Sequence, residues 1–464
     1  MLHRRVPGQS TEVLHDIGDT STHDLSIPDK DDSNSEAHSE VDIALIRATD
    51  TKLNAKQQAL WNDRIVKATV CKQIISGDAV DCLELAKVLP VDKYASRAHP
   101  NQRLVVAFGV NNCFTTSVVD ECATFRKTVE GMLNKDSAQW AALATCVEMV
   151  VEKEFDTTKD FLSLFDVAQM TSLKPMLNVL FGFDTERSDV DDDIKELAFE
   201  INAQWLRSKD AFDPKAKERP AWAFEHQKRP RELLTTVLPE KSADDMGENP
   251  LNLLLPGDET MWRVVLRCFV ELTARGHDNG SEWCEILKPF AENPTDGHLT
   301  QLSGVHTRTS ASQIAKETLR LYPPTRRVYR ERKLANKEFM TAAADIEECH
   351  RDANIWKPDP LRSMPERWNG LEHKNFEDDV FMPFSATPFN CPAKRRRGQN
   401  PPFGLAMISL LVGMLVKHTS GKWRVVGDLP GISEPLDTER TAYGYLRLER
   451  ISESEAGTTV GKRV

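Results

Sequence analysis

From about residue 50 to residue 300 the apolar positions of this chain recur at spacings of three and four. Four segments carry the pattern most clearly: Lys56 to Ile75, Ala138 to Glu154, Asp193 to Trp205 and Met261 to Ala274. That period gathers the apolar side chains on one stripe and predicts amphipathic helices. Between the third and fourth, Phe212 to Pro250 is interrupted by Pro214, Pro220, Pro230, Pro239 and Pro250 and reads as loops and short helices. Strand-like segments gather later, at Arg327 to Arg332, Phe339 to Ile346, Trp423 to Val426 and Tyr443 to Leu448. The longest apolar run, Leu405 to Val416, is broken by only Ser409 and Gly413. It is shorter than the ~20 residues that a bilayer crossing needs, and it fits a buried helix. No internal repeat is visible. The pattern predicts one large, mainly α domain with small β-sheets.

Composition changes this picture at one end. The chain has 464 residues, 40% hydrophobic and 28% charged, enough to bury a sizeable core. The first forty residues hold three Lys/Arg against nine Asp/Glu, a net of −6 within the chain's −11, and show no sustained apolar period. Such a segment cannot bury enough surface to offset its chain entropy. Residues 1–45 are therefore expected to form a disordered acidic arm ahead of a domain at 46–464. The remaining charge is too mild to suggest nucleic acid as a partner. Nine cysteines, scattered, odd in number and without a CxxC pair, argue against a disulfide framework or a zinc site. They suit a reducing compartment. The opening Met-Leu-His-Arg-Arg-Val-Pro lacks the apolar stretch of a signal peptide. The expectation is a cytoplasmic protein with no transmembrane segment, touching a membrane such as the endoplasmic reticulum at most peripherally.

Three segments carry chemistry. Residues 316 to 324, Lys-Glu-Thr-Leu-Arg-Leu-Tyr-Pro-Pro, put Glu317 and Arg320 at i and i+3 on one face of a helix that the proline pair ends. Residues 364 to 368, Met-Pro-Glu-Arg-Trp, follow, and a buried Arg367 there can share the Glu317 carboxylate with Arg320. The third is Phe381-Met-Pro-Phe-Ser-Ala-Thr-Pro-Phe-Asn-Cys391-Pro-Ala, a turn-rich loop ahead of the long apolar run. Taken singly, an ExxR is usually an exposed ion pair of little worth, and a lone cysteine a small buried residue. Backbone N–H groups near a helix start would stabilise a Cys391 thiolate.

In this order and at these separations the three segments resemble the cytochrome P450 superfamily, which has ExxR on one helix, a PERF-like arginine and a Phe-containing cysteine loop. Fungal P450-like proteins of secondary metabolism are the expected nearest relatives. The resemblance implies the P450 fold, with haem b held through Cys391 as the iron ligand. Phe384 would lie in the cysteine loop, and Glu317, Arg320 and Arg367 would hold that loop in register. It also directs attention to Pro256-Gly-Asp-Glu-Thr260 as part of a distal helix. There Gly257 would let oxygen approach the backbone, and Glu259 and Thr260 would position water and relay protons. Pro256 would leave the Asn252 carbonyl without its helical donor and open a kink where water binds. The implied reaction is insertion of one oxygen atom from O2 into a small organic substrate. Electrons would come from a separate NADPH-dependent reductase or other donor, since no flavin-binding pattern occurs. Lys394 to Arg397 would dock an acidic redox partner.

The cysteine loop departs from the family pattern Phe-x-x-Gly-x-Arg/His-x-Cys-x-Gly. Thr387 replaces the first Gly, Phe389 the basic residue that grips a haem propionate, and Ala393 the last Gly. A β-branched residue disfavours positive φ, so adjustment or strain is expected at Thr387. No Trp-x-x-x-Arg pair stands in Ala138 to Glu154, but Arg330, ten positions after Arg320, matches a place where the family often has a propionate partner, and the resemblance makes it the expected clamp. Two other readings stay open: a haem-thiolate enzyme of another type (peroxygenase, isomerase or dehydratase), and a haem-free binding protein on a degenerate P450 fold.

Overall fold

The computed structural model describes residues 65–452 apart from 79–87, 90–91, 214–215, 217, 335–338, 370, 372–375, 395–400, 433 and 438–442. The expected arm at 1–45 and the basic residues Arg395 to Arg397 lie outside the described residues.

The first helices are α1 (Val66–Ser76), α2 (Lys93–Ala98), α3 (Gln102–Phe108), α4 (Val119–Leu133) and α5 (Ser137–Glu154). Next come α6 (Leu164–Phe181), α7 (Asp191–Ala211), α8 (Lys228–Val237), α9 (Leu251–Gly257) and α10 (Met261–Thr273). The last are α11 (Gly280–Glu292), α12 (Ala311–Leu321), α13 (Ile346–His350) and α14 (Phe403–Thr419). The boundaries have local causes. At α5 the Asp136 carboxylate accepts the Gln139 N–H while the Gln139 side chain accepts the Asp136 N–H, a reciprocal cap that Ser310 and Gln313 repeat at α12. α6 stops on Gly182, whose φ of 70° suits glycine. In the proline-rich excursion α8 forms with Pro230 in its first turn, where a missing N–H breaks no helical bond.

α14 is buried from Phe403 to Val416 and apolar on every side, as the central helix of a large core must be. It packs against α5, α10, α11 and α12. Two antiparallel sheets lie outside this helical core. One is ordered β1-β3-β4 (Val88–Leu89, Arg327–Leu334, Phe339–Asp345) and the other β2-β6-β5 (Phe161–Ser163, Arg447–Arg450, Trp423–Val426). The mainly α class with small sheets is thus what the chain adopts. One strand differs from expectation. Tyr443 to Tyr445 form a turn, with Tyr443 at φ 69°, and pairing begins only at Arg447. The Tyr443 hydroxyl accepts the Asp437 N–H at 2.9 Å, which commits this aromatic residue to the interior instead of the sheet. No helix among the described residues is long and apolar enough to cross a membrane.

Close approach of α14 to α11 depends on Gly413. A Cβ there would stand 2.9 Å from Ala291 Cβ and 3.0 Å from the Leu287 carbonyl oxygen, and a helical backbone cannot yield as a side-chain tip can. Gly413→Val should therefore lower stability by about 1–3 kcal/mol through overpacking, read as a lower urea midpoint at unchanged m-value.

Candidate functional site

Glu317, on α12, has no solvent-exposed side-chain surface. Its Oε1 accepts from Arg320 Nη2 (2.8 Å), Arg367 Nε (2.8 Å) and the Met364 N–H (3.0 Å). Its Oε2 accepts from Arg320 Nε (2.9 Å) and Trp368 Nε1 (3.1 Å). The guanidiniums use their remaining N–H groups on backbone carbonyls. Arg320 reaches His350 (2.8 Å) and Pro360 (2.6 Å), while Arg367 reaches Pro358 (3.0 Å) and Asp359 (2.9 Å). Burial alone would raise the Glu317 carboxyl, but Arg320 first and Arg367 after it hold the group below the usual carboxylate range. A buried ion cluster is tolerable when its polar groups find partners of this kind.

One residue carries this network to the cysteine loop. His350 gives its carbonyl to Arg320, and its ring Nε2 accepts the Met382 N–H at 2.9 Å. The ring stacks on Phe381 at 5.5 Å. Burial, reinforced by the nearby Arg320 charge, lowers His350 to about 3, so the ring is neutral and can accept. Beyond Met382 the loop folds on itself. The Cys391 N–H bonds the Phe384 carbonyl at 2.8 Å, and Phe384 lies over Gly404 of α14, where a Cβ would come within 2.7 Å of the ring.

The loop adjusts at Thr387 as expected, while one other local expectation is corrected. Positive φ falls on Ser385 (64°) and not on Thr387, so the chain reverses two residues before the β-branched position. Cys391 does not sit at a helix start, because α14 begins only at Phe403. Its half-buried sulfur accepts the N–H of Ala393 at 3.4 Å from a turn.

Phe389 is the hub of a cationic corner. Tyr94 meets its ring edge-on at 5.3 Å, Arg97 lies over it at 4.3 Å and Arg330 at 5.0 Å. Arg330 spends Nε and Nη2 on the Ile75 carbonyl and Nη1 on that of Tyr329. Among the described residues the Arg97 guanidinium has only a sulfur acceptor, Cys122 Sγ at 3.3 Å, and its buried Nε has no partner. Arg126 on α4 reaches the Pro388 carbonyl at 2.8 Å. Burial first, then the charges of Arg97 and Arg332, push Arg330 down to about 9. Neither Arg97 nor Arg330 pairs with a carboxylate among the described residues. Two neighbouring buried guanidiniums without a counter-ion would hold an anion strongly. Arg97 and Arg126 were not among the expected site residues, because the second basic anchor was sought in Ala138 to Glu154, which is α5. The signal that could have found Arg97 is its i+3 spacing from Tyr94 on a short helix.

The Pro256 to Thr260 segment is the break between α9 and α10. The kink is present, but its freed Asn252 carbonyl is taken by Asn112 Nδ2 at 3.1 Å, where water had been expected. The Asn252 side chain in turn accepts the Asn111 N–H at 2.8 Å. At Gly257 an added Cβ would lie 3.2 Å from both Met176 Cε and Leu180 Cδ1, so its bare Cα lets α9 approach α6 closely. The Thr260 hydroxyl bonds back to the Pro256 carbonyl at 3.4 Å, and Glu259 is buried. The loop pinned by Asn111 and Asn112 brings Cys113 near Cys391, Arg97 and Arg126. Burial pushes its thiol up to about 12 against the pull of Arg97.

The described residues thus form a helix-rich domain in which a buried ExxR network braces a cysteine loop. No family model matches the chain. Over 108 residues it is 32% identical to cytochrome P450 3A17 of Cavia porcellus, a stretch covering 21% of this chain and 20% of that protein. Over 215 residues it is 25% identical to cytochrome P450 714A2 of Arabidopsis thaliana, covering 38% and 39% respectively. The matches therefore span well under two thirds of these relatives' lengths. The crystal structure of CYP175A1 from Thermus thermophilus aligns with a TM-score of 0.50 over 77% of this chain and 84% of that one, at 15% identity, which is a likeness of fold. These likenesses of sequence and of fold are to cytochrome P450s.

Glu317→Gln should cost about 3–5 kcal/mol in denaturant unfolding, since it strands two buried guanidiniums. His350 generates a pH effect. Its folded value lies below its unfolded one, so its contribution is complete above about pH 6.5 and is lost as pH falls toward about 3. In His350→Gln, the dependence of stability on pH between 4 and 6 should flatten by up to ~1.4 kcal/mol per pH unit, one proton's worth.

Proposed function

We propose that this protein is a haem-thiolate monooxygenase that inserts one oxygen atom into a small organic substrate, using electrons from a separate NADPH-dependent reductase. The observation that carries the proposal is the pairing of a braced cysteine loop with a buried cationic corner that lacks a carboxylate. Those residues fit haem b. Cys391 would ligate the iron, while Arg97 and Arg330 would hold the propionate edge in place of the basic residue that Phe389 displaces. Bound haem would supply oxygen activation, with the thiolate pushing electron density toward the iron. Every other task falls to the chain. The Ala393 N–H steadies charge on the Cys391 sulfur, and Phe384 covers one side of the loop. Glu259 and Thr260 would hold and pass protons at the helix break, through the Glu259 carboxyl group and the Thr260 Oγ. Gly257 contributes by letting α9 seat against α6. Lys394 is tied to Asp378 at 2.9 Å, and with the basic residues after it would present charge to an acidic electron donor.

The purified protein's spectrum tests this reading. A reduced, carbon monoxide-treated sample should show a Soret band near ~450 nm, lost in Cys391→Ala and kept in Cys349→Ala. Protein that takes up no haem under any loading condition would instead support the haem-free binding reading. Arg97→Ala should weaken haem retention by ~10- to 100-fold, the worth of one charge-assisted hydrogen bond, measured by transfer to apomyoglobin.

A further inference from the structure

Far from the cysteine loop in sequence, two other cysteines meet. Cys71 on α1 and Cys349 on α13 are separated by 278 residues, yet their sulfurs stand 3.1 Å apart in a buried contact. The distance is about 1 Å beyond a disulfide bond of ~2.05 Å. Both backbones are fixed. Cys71 lies within an 11-residue helix, and the Cys349 carbonyl accepts Trp356 Nε1 at 3.0 Å. Cys71 is the more exposed of the pair, at 7% against 2%. Close beside them opens a charged cleft of about 510 Å³, lined in part by Lys67, Asp345, Glu348 and Arg351. Asp345 joins cleft to pair, because its carbonyl stands 3.5 Å from Cys71 Sγ.

We infer that Cys71 and Cys349 form a reversible dithiol–disulfide site, oxidised by a hydroperoxide entering through this cleft. The contact with Cys349 holds the Cys71 thiol below its ordinary value, while the same contact raises Cys349. Cys71, the more exposed of the two, is the attacking sulfur. It forms an S–O bond as the peroxide O–O bond breaks, and the departing oxygen leaves with a proton as water or alcohol. Cys349 sulfur then attacks the sulfenic sulfur. An S–S bond forms, the S–O bond breaks, and hydroxide leaves with the Cys349 proton as water. One peroxide is reduced by the two electrons the thiols lose, and an external thiol reverses the reaction. In a reducing compartment the pair rests as thiols. Once closed, the bond fastens α1 to the helix whose next residue, His350, contacts both Arg320 and the cysteine loop.

The test uses the full chain, reduced, freed of reductant and exposed to hydrogen peroxide. It is then acid-quenched, unfolded, alkylated and mapped by mass spectrometry without reduction. The expected result is one linked peptide pair joining Cys71 to Cys349, reversed by dithiothreitol. It should come with a Tm raised by roughly 3–10 °C, because the closed loop is long. In Cys349→Ser, Cys71 should stop at the sulfenic acid and be captured by dimedone. Recovery of both cysteines as alkylated thiols overturns the inference. So does recovery of Cys71 as a sulfinic acid beside an alkylated Cys349. The wild-type map decides the matter even if the variant fails to fold.

Discussion

The Glu317 carboxylate is the point on which this structure depends. Five donors converge on its two oxygens, from its own helix, from the backbone at Met364, and from Arg367 and Trp368 of the turn that follows. A buried ion of this kind is costly to desolvate and contributes little net stability when compared with an apolar replacement. What it supplies is position. A guanidinium locked on a carboxylate has its remaining N–H directions fixed, and Arg320 aims one of them at the His350 carbonyl. The cysteine loop is thereby indexed to α12 through two hydrogen bonds and one neutral imidazole.

Much of this could be read from residues alone, and the reason is geometric. An i, i+3 pair on a helix has one face to share, and a proline pair fixes where the helix ends, so Glu317, Arg320 and Arg367 could be grouped before any coordinates. The buried helix from Phe403 to Thr419 was legible for the same reason, since an unbroken apolar run has few other places to go. The cationic corner was not legible. Arg97, Arg126 and Arg330 come from α2, α4 and β3, and only tertiary packing brings them to Phe389 and Pro388. The same holds for Asn112. A proline predicts a freed carbonyl four residues earlier, but not that a side chain 140 residues away will occupy it.

The loop itself shows how substituted landmarks are accommodated. Where a glycine would permit a left-handed turn, Thr387 cannot do so cheaply, and the turn moves to Ser385. Where a basic residue would reach a propionate, Phe389 cannot, yet its ring gathers two arginines from other elements over its faces. The positive charges stand on α2 and β3 instead of in the loop, and the aromatic ring serves as their platform.

The separation of Cys391 from α14 has a chemical consequence. Amides at a helix start stabilise a thiolate through several aligned N–H groups and the helix dipole together. A turn offers less: here the Ala393 N–H at 3.4 Å, with Arg97 and Arg126 the nearby positive charges that also act on Cys113. Arg97 on α2 and Arg126 on α4 bring positive charge to the neighbourhood that Cys113 shares with Cys391. Under the proposed haem binding, Arg97 would serve both the sulfur and the propionate edge, and a substitution there would disturb both at once. Arg330, whose guanidinium also bonds the Ile75 and Tyr329 carbonyls, would join the propionate edge to the strand that carries it.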